Sequence, residues 1–196
     1  LIAAKSLLNA DGGTLYRLEE DNQQLHFEVF RNDSLHLYMG GTTGVAIPFP
    51  PIHLYDPAGQ PNTAMVVTYA VLHDTTVVID DAYTDQNFDF SGTHHFDRRT
   101  GYRSRSFLTV PMKNHEDRII GVFQLINALD PETGQIRTFS LADRQLAESL
   151  ASQAAIALTN HQLIDQLQSL FESLIDLINA ALDKKSPYTG AHCQRV

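Results

Sequence analysis

Histidine and cysteine are the side chains of this chain best suited to metal binding or nucleophilic chemistry. The 196 residues include nine histidines and one cysteine, Cys193. A single thiol allows no disulfide within the chain, which favours a reducing compartment. His94 and His95 could ligate haem or a metal ion, but adjacent side chains point in different directions and no cysteine or carboxylate cluster surrounds them at motif spacing. We interpret the pair as part of an exposed loop.

Complete catalytic motifs are absent from the sequence. It contains no glycine-rich dinucleotide fingerprint, Walker motif, His-Glu-x-x-His motif or nucleophile elbow. The run at residues 40–44 has the glycine content of a phosphate loop but lacks the lysine and the following helix, so we interpret it as a turn. A stand-alone enzyme is therefore disfavoured.

The overall charge excludes two classes of partner. The formal net charge is -9 and the basic residues do not cluster, which argues against nucleic acid and against anionic membranes. No apolar run approaches the ~20 residues that a membrane span requires. With 43% hydrophobic residues the chain can bury a full core. We expect a soluble cytoplasmic domain with no direct membrane contact.

Alternating apolar and polar residues predict an antiparallel meander in the first part of the chain. Asp11–Gly13 is expected to end a short helix, and Leu25, Phe27 and Val29 are expected to share one face of the second strand. Residues 40–61, rich in glycine and proline, are expected to be irregular. The predicted elements are a helix end over 1–9 and strands over 14–18, 25–30 and 35–39.

The second part of the chain predicts a helix, three strands and a long loop. The loop runs from Ala82 to Arg103, and loops longer than ~12–15 residues are usually functional or mobile. The other elements are a helix over 62–72, a strand over 76–79, and a hairpin of strands 106–112 and 118–127 across a turn at 114–117.

A long C-terminal helix follows, without glycine or proline, as far as Lys185. Ser140-x-x-Asp143 has the form of a capping box at its start. The first apolar stripe is expected to lie on the sheet: Leu141, Leu146, Leu150, Ala154 and Leu158. The second alternates four and three residues apart, as in a parallel coiled coil of two protomers: Leu163, Leu167, Leu170, Leu174, Leu177 and Ala181. The alternative is a single helix packed on its own neighbour.

Four blocks of the sequence resemble the GAF domain, in particular its branch in cyclic-nucleotide phosphodiesterases. They are residues 79–88, 97–112, 120–127 and Phe139-x-x-x-Asp143, and the resemblance covers roughly residues 4–160. It implies an α+β fold with a central antiparallel sheet flanked by helices and a long C-terminal signalling helix, with residues 1–160 as the sensor domain. Where that branch has a lysine after Asn127 to pair with Asp143, this sequence has Ala128.

The resemblance also implies a ligand site between the sheet and the irregular segments. We expect Tyr83 and Phe88 to stack on a planar ring, and Thr100 or Arg103 to hold an anionic or carbonyl group, with Asp97 as the fifth site residue. The alternative is structural, with Asp97 capping a turn and Phe88 filling the core. Covalent bilin binding and the GAF methionine sulfoxide reductase activity are excluded, because both need a cysteine inside the domain.

The last residues resemble the start of an HD-GYP phosphohydrolase domain. The similar run is Ser186-Pro187-Tyr188-Thr189, followed by His192-x-x-Arg195-Val196. The resemblance makes His192 a metal ligand within a complete HD-GYP domain. It also implies a two-metal site of divalent ions in the parent, since Tyr188 stands where the family often has a glutamate. This fragment needs no cofactor and cannot hydrolyse anything alone, because one histidine does not build a site.

Two functions follow from these features. The first is the regulatory, small-molecule-sensing module of a bacterial signalling protein. In it, residues 161–185 link the sensor to a cyclic di-GMP-type HD-GYP phosphodiesterase whose truncated start is residues 186–196. Its expected partners are an unidentified small molecule, with a cyclic nucleotide as one candidate, and a second copy bound through the C-terminal helix. The second function is a ligand-free scaffold that serves only dimerisation, with Phe88, Phe90 or Phe96 filling the pocket.

Overall fold

The computed structural model describes residues 1–19, 21 and 23–185. Leu1–Ile156 form one compact unit, and Ala157–Val196 form a second unit that is described as far as Lys185. The tail at residues 186–196, with the proposed metal ligand His192, lies outside the described residues.

One antiparallel sheet forms the centre of the first unit, which confirms the predicted α+β class. Six strands follow the order β3–β2–β1–β7–β6–β5, while β4 pairs with β2 and β8 with β7. The predicted hairpin is confirmed as β6 and β7. The strands are β1 (Ala10–Glu19), β2 (Gln24–Asn32), β3 (Leu37–Gly40), β4 (Ile52–His53), β5 (Val77–Ile79), β6 (Phe107–Lys113), β7 (Ile119–Leu129) and β8 (Ile136–Arg137).

Four α-helices accompany the sheet in the described part of the chain. They are α1 (Ile2–Leu7), α2 (Val66–Leu72), α3 (Ser91–Thr100) and α4 (Leu141–Lys185). The predicted capping box of α4 is confirmed: Asp143 N–H donates to Ser140 Oγ at 3.2 Å, and Ser140 N–H donates to Asp143 Oδ2 at 2.7 Å. These reciprocal bonds satisfy backbone donors at the start of the helix.

Helix α2 holds the core together on one side of the sheet. Val66 and Ala70 pack in one cluster with residues of β5 and β6, whereas Val67 and Val71 pack in another with Tyr16. Residues three and four apart lie on the same side of a helix, so the two pairs present two adjacent rows to the sheet. One short helix therefore joins the two clusters.

The predicted end of the first helix is wrong. Helix α1 ends at Leu7, and the chain turns at Asn9 with φ 48°, so Asp11–Gly13 lies inside β1. Gly13 allows close packing of β1 on β7 and does not form a turn, since a Cβ on Gly13 would lie 3.1 Å from the carbonyl oxygen of Gln124.

The segment from Ala82 to Arg103 is not the continuous loop that we predicted. It contains α3, which ends at Gly101 with φ 72°, a left-handed conformation that glycine adopts without strain. Charged and polar residues fill most of the helix, so the apolar periodicity that reveals an amphipathic helix is weak.

The face of α4 that is buried also differs from the prediction. Ala147, Ala151 and Ala155 are almost fully buried, whereas Leu141 is 71% exposed and Leu146 39% exposed. Alanine residues four apart form a narrow, smooth stripe on which a helix can pack closely. The prediction placed the leucines on the sheet because leucine is more hydrophobic than alanine and dominates a sequence pattern.

Candidate ligand-binding site

A cavity of about 390 Å³ lies between the sheet and helix α3. Its walls come from β1, β2, β6 and β7 on the sheet, from α2 and α3, and from the segment that leads into β4. The volume is within the roughly 300–1,000 Å³ of small-molecule sites. Eight aromatic side chains line it: Tyr16, Phe27, Phe30, Phe49, Phe90, Phe96, Tyr102 and Phe107.

Three phenylalanines join the cover of the cavity to the sheet. Phe30 of β2 meets Phe49 at a ring-centroid distance of 5.6 Å and Phe96 of α3 at 6.1 Å, and Phe49 lies 6.4 Å from Phe96. All three pairs are edge-to-face, an arrangement that aromatic quadrupoles favour. The cluster fixes α3 over the cavity and offers flat apolar surfaces to a bound ring.

Two polar side chains of the cavity wall, Tyr16 and Gln124, belong to a buried hydrogen-bonded chain. Tyr16 donates its hydroxyl to Gln124 Oε1 at 3.3 Å, and Gln124 Nε2 donates to Thr109 Oγ1 at 3.0 Å. Burial raises the pKa of Tyr16, which therefore stays a neutral hydroxyl. These groups can orient a ligand, while the second amide hydrogen of Gln124 remains able to donate.

Two charged side chains of opposite sign stand among the described residues of the cavity wall. Arg31 has a buried Nε without a hydrogen-bond partner in the described part of the protein. Asp89 accepts the backbone N–H of Ser91 at 2.8 Å, and this bond holds the pKa of its carboxyl below the usual range. The wall thus offers a donor at Arg31 and a carboxylate at Asp89.

Three of the five predicted site residues do come together, next to the cavity and outside its described lining. Tyr83 donates its hydroxyl to Asp97 Oδ2 at 2.7 Å, and the guanidinium of Arg103 lies 4.3 Å from the centroid of the Tyr83 ring. Asp97 is only 3% exposed and also accepts the N–H and hydroxyl of Ser104. The hydrogen bond to Asp97 raises the pKa of Tyr83.

The other two predicted residues make local contacts. Phe88 packs edge-to-face on Tyr69 at 5.2 Å beside the core cluster of α2. Thr100 donates its hydroxyl to the carbonyl oxygen of Phe96. The described lining of the cavity contains none of the five predicted residues. Their part in ligand binding stays a prediction.

Sequence comparison gives the family of the chain. The GAF domain family model matches residues 1–158. The chain belongs to the GAF domain family. The "Dual 3',5'-cyclic-AMP and -GMP phosphodiesterase 11A" of Takifugu rubripes is 31% identical over 125 residues, and the corresponding phosphodiesterase 11 of Drosophila melanogaster is 32% identical over 113. These matches cover 60% and 56% of the chain but only 13% and 7% of the two relatives.

Solved GAF domains share the fold of this one. The GAF domain of Acinetobacter phosphoenolpyruvate-protein phosphotransferase aligns with a TM-score of 0.57 and 16% identity, covering 85% of this chain and 81% of that one. Residues 122 to 287 of a methyl-accepting chemotaxis protein align with a TM-score of 0.55 and 18% identity, covering 83% and 85%. At these identities the likeness extends to the fold alone.

The cavity residues of this GAF domain escaped prediction partly because of a β-bulge. Leu15 pairs with Val29 and Tyr16 with Phe27, so Glu28 is an extra residue in β2. The bulge reverses the inside–outside alternation, and Phe30 rather than Val29 joins Phe27 at the cavity. The prediction that Val29 shares the face of Phe27 is therefore wrong.

The ion pair that the family places at Asp143 is formed by a different residue in this GAF domain. Arg137 donates from Nη1 to Asp143 Oδ2 at 2.5 Å and from Nη2 to Oδ1 at 3.3 Å. Burial alone would raise the pKa of Asp143, but the hydrogen bonds from Arg137 and Ser140 outweigh it and lower the pKa. An arginine of β8 thus replaces the lysine that is absent after Asn127.

The two adjacent histidines lie in α3, not in a loop. His94 is half-buried and packs against Tyr83 at 4.4 Å between ring centroids, whereas His95 is exposed. Across residues 1–19, 21 and 23–185, three or more metal-ligating side chains do not gather anywhere. Over the same residues, no helix has the length and apolar character needed to span a membrane.

Proposed function

We propose that this GAF domain is the small-molecule-sensing module of a larger bacterial signalling protein of the cytoplasm. The observation that carries the proposal is the aromatic cavity of about 390 Å³, which stays open although Phe90 and Phe96 contribute to its walls. An apolar cleft with a few convergent polar groups is the usual form of a small-molecule site.

The proposed ligand is a planar ring with polar edges. The phenylalanine cluster supplies stacking surfaces, Gln124 and Arg31 supply donors, and Asp89 supplies an acceptor. Cyclic nucleotides fit this description and are one candidate, because the two phosphodiesterase relatives are named for cyclic AMP and cyclic GMP. Tyr83, Asp97 and Arg103 would then act beside the cavity, by holding α3 in place.

The proposed output is an HD-GYP phosphodiesterase of the cyclic di-GMP type, joined after the long helix. Its support is the HD-GYP-like sequence at residues 186–196, in which His192 would be the first metal ligand. The divalent metal ions would belong to that domain and would need further ligands from it. In this proposal the present chain regulates and does not itself hydrolyse.

The proposed link between sensor and output is a helix that dimerises. Leu163, Leu167, Leu170, Leu174 and Leu177 are each at least half exposed. Their alternating spacing is that of a coiled-coil seam, and exposed Ile164 and Phe171 widen it on one side. A second copy of the chain is the natural cover for such a stripe, because an uncovered one would promote aggregation.

A thermal-shift screen separates the sensor from the ligand-free scaffold. The probes are cyclic AMP, cyclic GMP, adenine and guanine, each added to the whole chain. A ligand at about 100 times its Kd stabilises the folded state by ~2.7 kcal/mol, so a true ligand raises the Tm. Phe96→Leu should reduce the shift, and Phe88→Leu, a matched change outside the cavity wall, should preserve it. Unshifted Tm values across a broad metabolite panel would favour the scaffold.

A second experiment tests the regulatory link in a parent that carries the output domain. Leu170→Pro interrupts the helix, because proline removes a backbone donor and clashes with the preceding turn. We expect ligand to change the phosphodiesterase activity of the unaltered parent and to leave that of the Leu170→Pro parent unchanged. Regulation that survives this substitution would contradict the proposed route.

A further inference from the structure

Tyr102 stands at the junction of the cavity wall and a buried polar cluster. Its hydroxyl donates to Asp11 and accepts a hydrogen bond of 2.9 Å from Asn127 Nδ2. Asp11 is 5% exposed and also accepts the hydroxyl of Ser34 at 2.8 Å. A shift of the cavity wall at Tyr102 would therefore strain the hydrogen bonds of this largely buried cluster.

Asn127 connects this cluster to the segment that leads into strand β6. It is 1% exposed, adopts φ 56°, and uses its whole side chain. Nδ2 donates to the hydroxyl of Tyr102 and to the carbonyl oxygen of Arg103, while Oδ1 accepts the N–H of Arg105 at 2.7 Å and of Ser106 at 3.3 Å. A non-glycine residue in the left-handed region persists only where its surroundings hold it, and these four bonds do so.

Ser106 and Arg137 continue the connection to α4. The hydroxyl of Ser106, a fully buried residue, donates to the carbonyl oxygen of Arg137 at 2.8 Å. The guanidinium of Arg137 then holds Asp143, whose carboxylate also forms the capping box with Ser140. Hydrogen bonds thus link these residues one to the next from the cavity wall to the first turn of α4. The path passes from the N–H to the hydroxyl within Ser106, and from the carbonyl oxygen to the guanidinium within Arg137.

We propose that this chain of hydrogen bonds, from Tyr102 through Asn127, Ser106 and Arg137 to Asp143, sets the stability of the first turn of α4 according to the state of the cavity wall. Tyr102, Asn127, Ser106 and Arg137 act as positioning residues in this chain of hydrogen bonds. The inference rests on the proposed sensing function, because it describes how that cavity regulates the helix. The element with two arrangements is the first turn, either capped by Asp143 or frayed.

A second tyrosine of the cavity wall serves as a control for Tyr102. Tyr16 also lines the cavity and also donates its hydroxyl into a buried chain, but that chain passes through Gln124 to Thr109 and remains in the sheet. Ser104 is the matched control for Ser106. Its buried hydroxyl also donates a hydrogen bond, but the acceptor is Asp97 of α3 and not a residue of β8. Each pair allows the same chemical change on and off the proposed route.

Hydrogen–deuterium exchange of the whole chain without ligand tests the proposal. The readout is the exchange of the Asp143 and Arg144 amides, which bond to the hydroxyl and carbonyl of Ser140. We expect Tyr102→Phe and Ser106→Ala to accelerate it roughly fivefold, the factor for one lost hydrogen bond. Tyr16→Phe and Ser104→Ala should leave it unchanged. Arg137→Gln should accelerate it at least as much, and Arg137→Lys should restore most of the protection.

Two results would overturn the proposal. One is unchanged exchange at Asp143 and Arg144 in both Tyr102→Phe and Ser106→Ala. The other is equal acceleration in the Tyr16→Phe and Ser104→Ala controls, which would indicate general destabilisation. If Tyr102→Phe fails to fold, the Ser106→Ala and Ser104→Ala pair decides alone. Because no ligand is added, a negative ligand screen would contradict the sensing function and leave this result standing.

Discussion

Tyr83 and Asp97 are joined by a hydrogen bond of 2.7 Å that links a surface ring to a buried carboxylate. Asp97 is 3% exposed while Tyr83 is 38% exposed. Removing one side chain or the other should therefore lower the free energy of unfolding by different amounts. Removing Tyr83 frees an acceptor that retains two other donors, both from Ser104. Removing Asp97 leaves buried donors without a partner.

We expect Asp97→Ala to destabilise the domain by ~2–4 kcal/mol, because it strands the buried N–H and hydroxyl of Ser104. Tyr83→Phe should cost less than ~1 kcal/mol, since it removes one hydrogen bond and leaves no buried donor unpaired. Urea denaturation of both variants measures the difference. Equal costs would contradict the view that Asp97 holds α3 against the segment at Ser104.

Alanine substitutions at two glycines are expected to change the stability of the domain in opposite directions. A Cβ on Gly121 would lie 2.2 Å from the backbone oxygen of Tyr16 on the neighbouring strand β1, whereas one on Gly92 would meet nothing within 4 Å. Gly121→Ala should therefore destabilise the domain by at least ~2 kcal/mol through overpacking. Gly92→Ala should stabilise it by ~0.4–1 kcal/mol by lowering the entropy of the unfolded chain. Thermal unfolding of the pair gives the comparison.

The sequence was most informative where one local signal decides the structure. The β6–β7 hairpin was predictable because two apolar strands flank a polar turn, in which Asn114 Oδ1 accepts the N–H groups of Glu116 and Arg118. The start of α4 was predictable because Ser140 and Asp143 form the capping box on their own. In both cases the necessary residues lie within a few positions of each other.

The cavity could not be predicted in the same way. Phe30, Phe49 and Phe96 come from three distant segments, and only the folded sheet brings their rings within about 6 Å. The bulge at Glu28 also has no clear sequence signal, yet it decides which side of β2 faces the cavity. Likewise, the replacement of the missing lysine by Arg137 became evident only through the pairing of β8 with β7.

The Arg137–Asp143 pair gives a pH-dependent prediction. The pKa of Asp143 in the folded state lies below the ordinary value of 3.8, so the unfolded chain takes up this proton more readily. The pair therefore stabilises the domain fully above that value, and the contribution is lost as pH falls through the lower folded-state pKa. We expect Asp143→Asn to cost ~1–2 kcal/mol at neutral pH and progressively less below pH 3.8.

A double-mutant cycle isolates the pair from other acidic groups. Arg137→Gln, Asp143→Asn and the double variant are unfolded in urea at neutral pH and at a series of acidic pH values. The coupling free energy should be favourable at neutral pH and should decline as Asp143 becomes protonated. A coupling that stays constant over the acidic range would show that charge on Asp143 is not what holds Arg137.

The exposed seam of α4 provides the last prediction. Leu170 is 67% exposed in the single chain and occupies a core position of the proposed coiled coil. Leu170→Glu should place two like charges in that core and shift the protein from dimer to monomer.

Gln168→Glu adds the same charge two residues away, outside the apolar seam, and should leave the dimer intact. Analytical ultracentrifugation over a range of concentrations compares the three proteins. Because a coiled coil of barely three heptads is weak, the midpoint concentration of association is the quantity to compare, and an unaltered chain that remains monomeric throughout would refute dimerisation through this helix.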